Sequence, residues 1–124
     1  LGLPSIEGNG KLDLMLRAEN LRAFAGLYLG DTPSNHPVAS PLHADLHDLP
    51  PLLVQAAEHD ILCDDALEFA AKLKAVGGAV ECQLWPEMQH SFQFFAGRIP
   101  EADAAILHAG EFIAANAPLL RRGN

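Results

Sequence analysis

The chain has 124 residues, with 16 Asp plus Glu against 8 Lys plus Arg and a formal net charge of -8. At 49% apolar and 19% charged residues it can bury a core, which excludes a disordered or fibrous chain, and its length allows one small domain at most. The acidic balance excludes nucleic acid and anionic membrane surfaces as partners, and no apolar stretch approaches the ~20 residues of a membrane span.

Residues 1–11 (LGLPSIEGNGK) hold three Gly and a Pro and read as a loop. From Leu12 the apolar positions Leu14, Met15, Leu21, Phe24, Leu27 and Tyr28 follow a roughly helical period, which predicts one or two helices ending at Gly30. Residues 31–51 are rich in Pro, Asp, Ser and Asn and predict an ordered but irregular connection. Leu52–Ala57 (LLVQAA) is a short, nearly continuous apolar run between Pro50-Pro51 and Glu58, as expected of a strand covered on both faces. Ala66, Leu67, Phe69, Ala70, Leu73 and Val76 then form a helical stripe, preceded by Asp64-Asp65 and stopped by Gly77-Gly78. Asp65 with Glu68 resembles a capping box. Val80–Trp85 (VECQLW) alternates as a strand does, and Pro86 closes it. Pro100 and Glu101 open a last helix with the stripe Ala102, Ala105, Ile106, Ala109, Phe112 and Ile113, with Pro118 expected beyond its end.

Strand, helix, strand, helix over residues 52–118 is a βαβα unit, with parallel strands and a right-handed crossover expected. Two parallel strands cannot cover a run as apolar as LLVQAA or satisfy their own outer edges. The fold class that follows is α/β, with the chain as the tail of a larger sheet that it does not complete. The sequence starts at Leu1 and not at a methionine, so upstream sequence is expected, and since no basic-then-apolar leader opens these residues and the two thiols look unpaired, a cytoplasmic location is expected.

Cys63 and Cys82 are too few for a disulfide scaffold and too far apart for a CxxC motif, and read as two half-buried thiols. Among six histidines only His43 and His47 stand four apart, with Ala44 where a metalloprotease helix carries Glu, so no metal is expected.

In parallel α/β sheets, functional groups gather beyond the C-terminal ends of the strands. The first strand is followed by Glu58-His59-Asp60 and the second by Glu87-Met88-Gln89-His90. On neighbouring strands ~4.8 Å apart, Asp60 and His90 emerge on one rim, where a carboxylate can orient an imidazole for proton transfer. Against this pairing stand two plainer roles: Asp60 starting the next helix, although Asp64 and Asp65 are better placed for that, and His90 as an ordinary loop residue. Glu58, His59 and Glu87 read as solvated rim residues, and Phe92, Phe94 and Phe95 as packing.

The strings Pro37–Leu46 (PVASPLHADL), Leu49–Leu52 (LPPL), Glu58–Asp64 (EHDILCD) and Trp85–Phe92 (WPEMQHSF), with Tyr28–Asp31 (YLGD) upstream, resemble in order and spacing the C-terminal part of hormone-sensitive-lipase-like α/β-hydrolases. The resemblance covers roughly Leu12 to Pro118 and implies a single α/β-hydrolase domain in which residues 1–30 lie next to a cap. It implies a carboxylesterase or lipase without cofactor, acting on a small apolar ester. The family's catalytic acid falls on Asp60, first in Asp60-Ile-Leu-Cys-Asp64, and its base on His90, followed by Ser91 and Phe92. Leu62 and Phe92 are candidate pocket walls. No G-x-S-x-G and no HGG loop occur, and none of Ser5, Ser34, Ser40 and Ser91 sits in a glycine elbow. Nucleophile and oxyanion donors are therefore expected upstream, and the chain alone is expected to be inactive. Three other readings remain: the tail of a prolyl-oligopeptidase-like peptidase, a non-catalytic binding relative, and an interaction module whose sheet edge pairs with a partner or a second copy.

Overall fold

The computed structural model describes residues 2–120, and its elements follow in chain order. They are α1 (Ser5–Gly8), α2 (Ala18–Leu29), a 3-10 turn (Pro41–His43), β1 (Leu52–Ala57), α3 (Cys63–Ala75), β2 (Val80–Trp85), a second 3-10 turn (Phe92–Phe95) and α4 (Pro100–Leu120). Both strands have the bounds read from the sequence. β1 and β2 pair in parallel, from Leu52 opposite Val80 to Ala57 opposite Trp85, so both strands end at the same rim. This two-stranded parallel sheet with its helices is the α/β arrangement expected from the sequence. Only Ala56 and Ala57 of β1 are buried, and Leu52–Gln55 are half-covered.

The core lies under the rim. Ala57, Phe92, Ala102 and Ala105 form one buried cluster, with Trp85, Met88 and Ile99 packed on it. Ala102 and Ala105 let α4 approach the sheet closely, and the Trp85 and Phe92 rings meet at 5.5 Å in a tilted arrangement. Of the rest of the expected α4 stripe, Ile106 and Ile113 are exposed and Ala109 and Phe112 half-buried.

Four expectations about element ends are corrected. Residues 5–8 are a helical turn and not loop, because Ser5 is anchored at both its N–H and its hydroxyl to the 61–64 segment. The helix expected from Leu12 begins only at Ala18, since the Asp13 carboxylate takes the N–H groups of Met15 and Leu16 and holds a non-helical turn. α3 begins at Cys63, with no side-chain cap from Asp65; instead Asp60 Oδ1 accepts the Leu62 N–H and Ser5 Oγ the Asp64 N–H. α4 runs through Pro118, which in the last turn forfeits a single backbone hydrogen bond.

The end of α3 follows from glycine chemistry. Gly77 takes φ +82°, its N–H bonds to Lys74 O, and the Gly78 N–H bonds to Leu73 O, the paired bonds of a Schellman motif. A Cβ on Gly78 would stand 2.3 Å from Leu73 Cδ1, so this position excludes any larger residue without repacking. Cys63 is buried and Cys82 exposed, which corrects the expectation of two half-buried thiols.

Candidate active site

β1 and β2 deliver two loops side by side. The Glu58 N–H donates to Trp85 O at the end of the ladder, and the His59 N–H donates to Met88 O at 3.0 Å, so the loops are stitched together beyond the sheet. Asp60 lies on the first loop and His90 on the second, with His90 Nδ1 2.8 Å from Asp60 Oδ2. The Asp60 side chain is 12% exposed and that of His90 33%. The second Asp60 oxygen, Oδ1, accepts the Leu62 N–H at 2.8 Å. Thus the carboxylate both opens α3 and faces the imidazole, two roles that seemed exclusive in the sequence. Carboxylate on Nδ1 leaves Nε2 as the ring atom free to exchange a proton with a third group.

Beside the pair is a cleft of about 150 Å³ lined by Gln55, Ala57, Asp60, His90, Phe92 and Gln93. Phe92 walls it while lying 98% buried in the core, a value set by its 2% exposure. Leu62 is elsewhere: it lines a larger apolar groove of about 640 Å³ between α2, residues 34–42 and α3, with Tyr28, Leu29, Leu42 and Phe69. That groove contains neither Asp60 nor His90. Phe94 and Phe95, expected to pack, are exposed.

His90 is followed by strain. Ser91 adopts φ 54°, ψ 33°, the left-handed region that costs a non-glycine residue about 1–2 kcal/mol, and this turn leads into the 3-10 turn that buries Phe92. A chain of amides holds the loop on the sheet. Gln93 Nε2 donates to Gln55 Oε1, and Gln55 Nε2 donates to Ala105 O and Gln83 Oε1. Glu58, read as solvated, accepts the Glu87 N–H at 2.8 Å through Oε2.

A clamp from residues 5–14, which sequence reasoning missed, holds the acid loop. Asn9 Nδ2 donates to Glu58 O and Asp60 O, Ser5 Oγ donates to Ile61 O, and Asp13 Oδ2 accepts the Ile61 N–H. Gln89, adjacent to His90, accepts the Leu14 N–H and donates to Leu12 O. The one sequence signal for this was an aspartate within an apolar run, Leu12-Asp13-Leu14-Met15-Leu16.

Burial, with Asp64 and Asp60 close by, pushes the Cys63 thiol above its ordinary value and disfavours the thiolate. Among the described residues no three His, Cys, Asp or Glu side chains converge as a metal site, and no helix is long and apolar enough to cross a membrane.

A family model described as the α/β hydrolase fold matches residues 3–94. The chain is 45% identical over 103 residues to an acetyl-hydrolase of Streptomyces hygroscopicus, covering 82% of this chain and 34% of that protein. It is 38% identical over 109 residues to an esterase of Acinetobacter venetianus, covering 87% and 36%. The chain therefore spans about a third of the length of the curated relatives it matches. Among solved structures, an esterase from the bacterial hormone-sensitive lipase family superimposes with a TM-score of 0.88 at 39% identity, over 90% of this chain and 38% of that one. A hormone-sensitive-lipase homologue from a metagenome library gives 0.90 at 29% identity, over 94% and 40%.

Proposed function

The chain belongs to the α/β-hydrolase family, on its hormone-sensitive-lipase-like carboxylesterase branch, and from that premise we propose that it supplies the acid and base of a serine esterase, Asp60 and His90. The observation that carries the reading is the 2.8 Å contact between His90 Nδ1 and Asp60 Oδ2 where two parallel strands end together. Relatives named as esterases and an acetyl-hydrolase support the ester as substrate class.

The nucleophile is a serine outside residues 1–124, and the oxyanion donors lie outside them as well. His90 Nε2 takes the hydroxyl proton as the serine oxygen bonds to the ester carbonyl carbon. It then gives that proton to the departing alkoxide, leaving an acyl-enzyme and a free alcohol. Water, deprotonated by the same nitrogen, attacks the acyl carbon and releases the acid and the serine. Asp60 holds the ring in the tautomer with the proton on Nδ1 and stabilises the imidazolium at each step. The substrate is a small apolar ester, with Phe92 beside the reacting centre. Leu62 lines the separate apolar groove and not the cleft beside the pair. No cofactor enters these steps. The uncovered β1–β2 edges are taken by further strands of the same domain or by a second copy.

Incubation with p-nitrophenyl butyrate tests the reading. The full-length gene product is expected to release p-nitrophenol, and the 124-residue chain is expected to match buffer. Turnover by residues 1–124 alone, abolished by His90→Ala, would place the nucleophile inside this chain and defeat the proposal.

A further inference from the structure

Asp13 is a fully buried carboxylate that the triad chemistry does not use. An ionised group without water is costly unless hydrogen bonds replace its hydration. Its Oδ1 accepts the N–H groups of Met15 and Leu16, each at 2.8 Å, and its Oδ2 accepts the Ile61 N–H at 3.0 Å. The first two bonds are local and shape a turn. The third crosses 48 residues to the peptide that follows Asp60.

Ile61 is itself fully buried, and both of its backbone groups are held by the N-terminal segment, the N–H by Asp13 and the C=O by Ser5 Oγ at 2.9 Å. Asn9 Nδ2 holds the Asp60 carbonyl at 2.9 Å. Rotation of the 60–61 peptide would break the Asp13 and Asn9 contacts together, while Ser5 pins the next peptide, so the backbone that carries Asp60 toward His90 is held on both sides of Ile61. We propose that Asp13 is a positioning residue for the acid–base pair: by holding the Ile61 N–H it fixes the direction in which Asp60 presents Oδ2 to His90. This rests on the reading of Asp60 and His90 as acid and base, and it assigns Asp13 no contact with substrate.

Two substitutions separate the long bond from the local turn. Asp13→Asn keeps one oxygen for Met15 and Leu16 but turns an amide N–H toward the Ile61 N–H, donor against donor. Asp13→Ser retains a hydroxyl oxygen able to serve the local turn, yet it has no second oxygen for Ile61. In the full-length protein both are expected to lower kcat on p-nitrophenyl butyrate about 10- to 100-fold, the cost of a small misplacement of a catalytic group, with KM within twofold. The downfield proton resonance of the His90 Nδ1–H bonded to Asp60 is expected to weaken or vanish in both. Wild-type kcat and an unchanged resonance in Asp13→Ser would overturn the proposal by confining Asp13 to its turn. Loss of the fold in both variants, read by circular dichroism, would also overturn it, making Asp13 a residue of stability. A wild-type protein inert toward esters would sink the esterase reading instead, and the resonance alone would then decide the role of Asp13.

Discussion

The rim where β1 and β2 end and the outer face of α2 are built on opposite terms. At the rim every loop is cross-braced: Ser5, Asn9 and Asp13 hold residues 58–64, Gln89 is held by residues 12–14, and Gln55 anchors Gln93. Helix α2 buries no residue at all, and Phe24, Leu27 and Tyr28 stand 65%, 83% and 74% exposed. Both regions are rich in apolar residues, so hydrophobicity does not separate them. The difference is polar: the rim's hydrogen bonds fix backbone direction, as the proposed proton transfer would require, while α2 offers an apolar surface without partners among the described residues.

The largest expected effect is at the rim. Asp60→Asn in the full-length protein is expected to cut kcat by ~10⁴ while circular dichroism and the thermal midpoint stay near wild type, because the amide stabilises the wrong imidazole tautomer. A variant within tenfold of wild type would remove the rim's special status. Next comes Ser5→Ala, which strands the buried Ile61 carbonyl and the Asp64 N–H. A loss of about 1–3 kcal/mol is expected in denaturant unfolding, the penalty for buried groups left unpaired.

Asp65 links the two regions, since it stands in the first turn of α3 and lines the groove against α2. Its Oδ2 is buried without a partner among the described residues, and burial pushes the carboxyl above its ordinary value of 3.8, helped by Glu68 and Asp64 and opposed by the positive N-terminus. The folded chain thus holds this proton more tightly than the unfolded chain, and ionisation costs stability above the raised value. Asp65→Asn is expected to raise the thermal midpoint at pH 7, and the gain is expected to shrink as pH falls toward 3.8. A gain that grows on acidification would contradict the assignment. The smallest effect belongs to α2: Leu27→Lys is expected to change the stability of the 124-residue chain by less than ~0.5 kcal/mol. A larger loss would mean that a second copy covers this face.

The strands were legible to the residue because Pro50-Pro51, Glu58 and Pro86 punctuate two short runs of strand-forming residues. The meeting of Asp60 and His90 was legible as well, because neighbouring parallel strands bring their following loops together whatever else the chain does. The clamp was not. Ser5 and Asn9 sit in a Gly- and Pro-bearing stretch that reads as loop, and their partners lie about fifty residues away, beyond any local periodicity. Asp13 falls inside an apparent helical stripe, and only its bonds to Met15 and Leu16 reveal why the helix waits for Ala18. The start of α3 escaped for a related reason: its first N–H groups are served by Asp60 and Ser5, one before the helix and one far upstream.

One labelling experiment addresses the central claim, that Asp60 and His90 serve a serine outside these residues. The full-length protein would be treated with a fluorophosphonate, which traps an activated serine hydroxyl, and the modified peptide identified by mass spectrometry. The account predicts a single label upstream of Leu1 that His90→Ala slows by orders of magnitude. A label on Ser5, Ser34, Ser40 or Ser91, or one whose rate ignores His90→Ala, would contradict it.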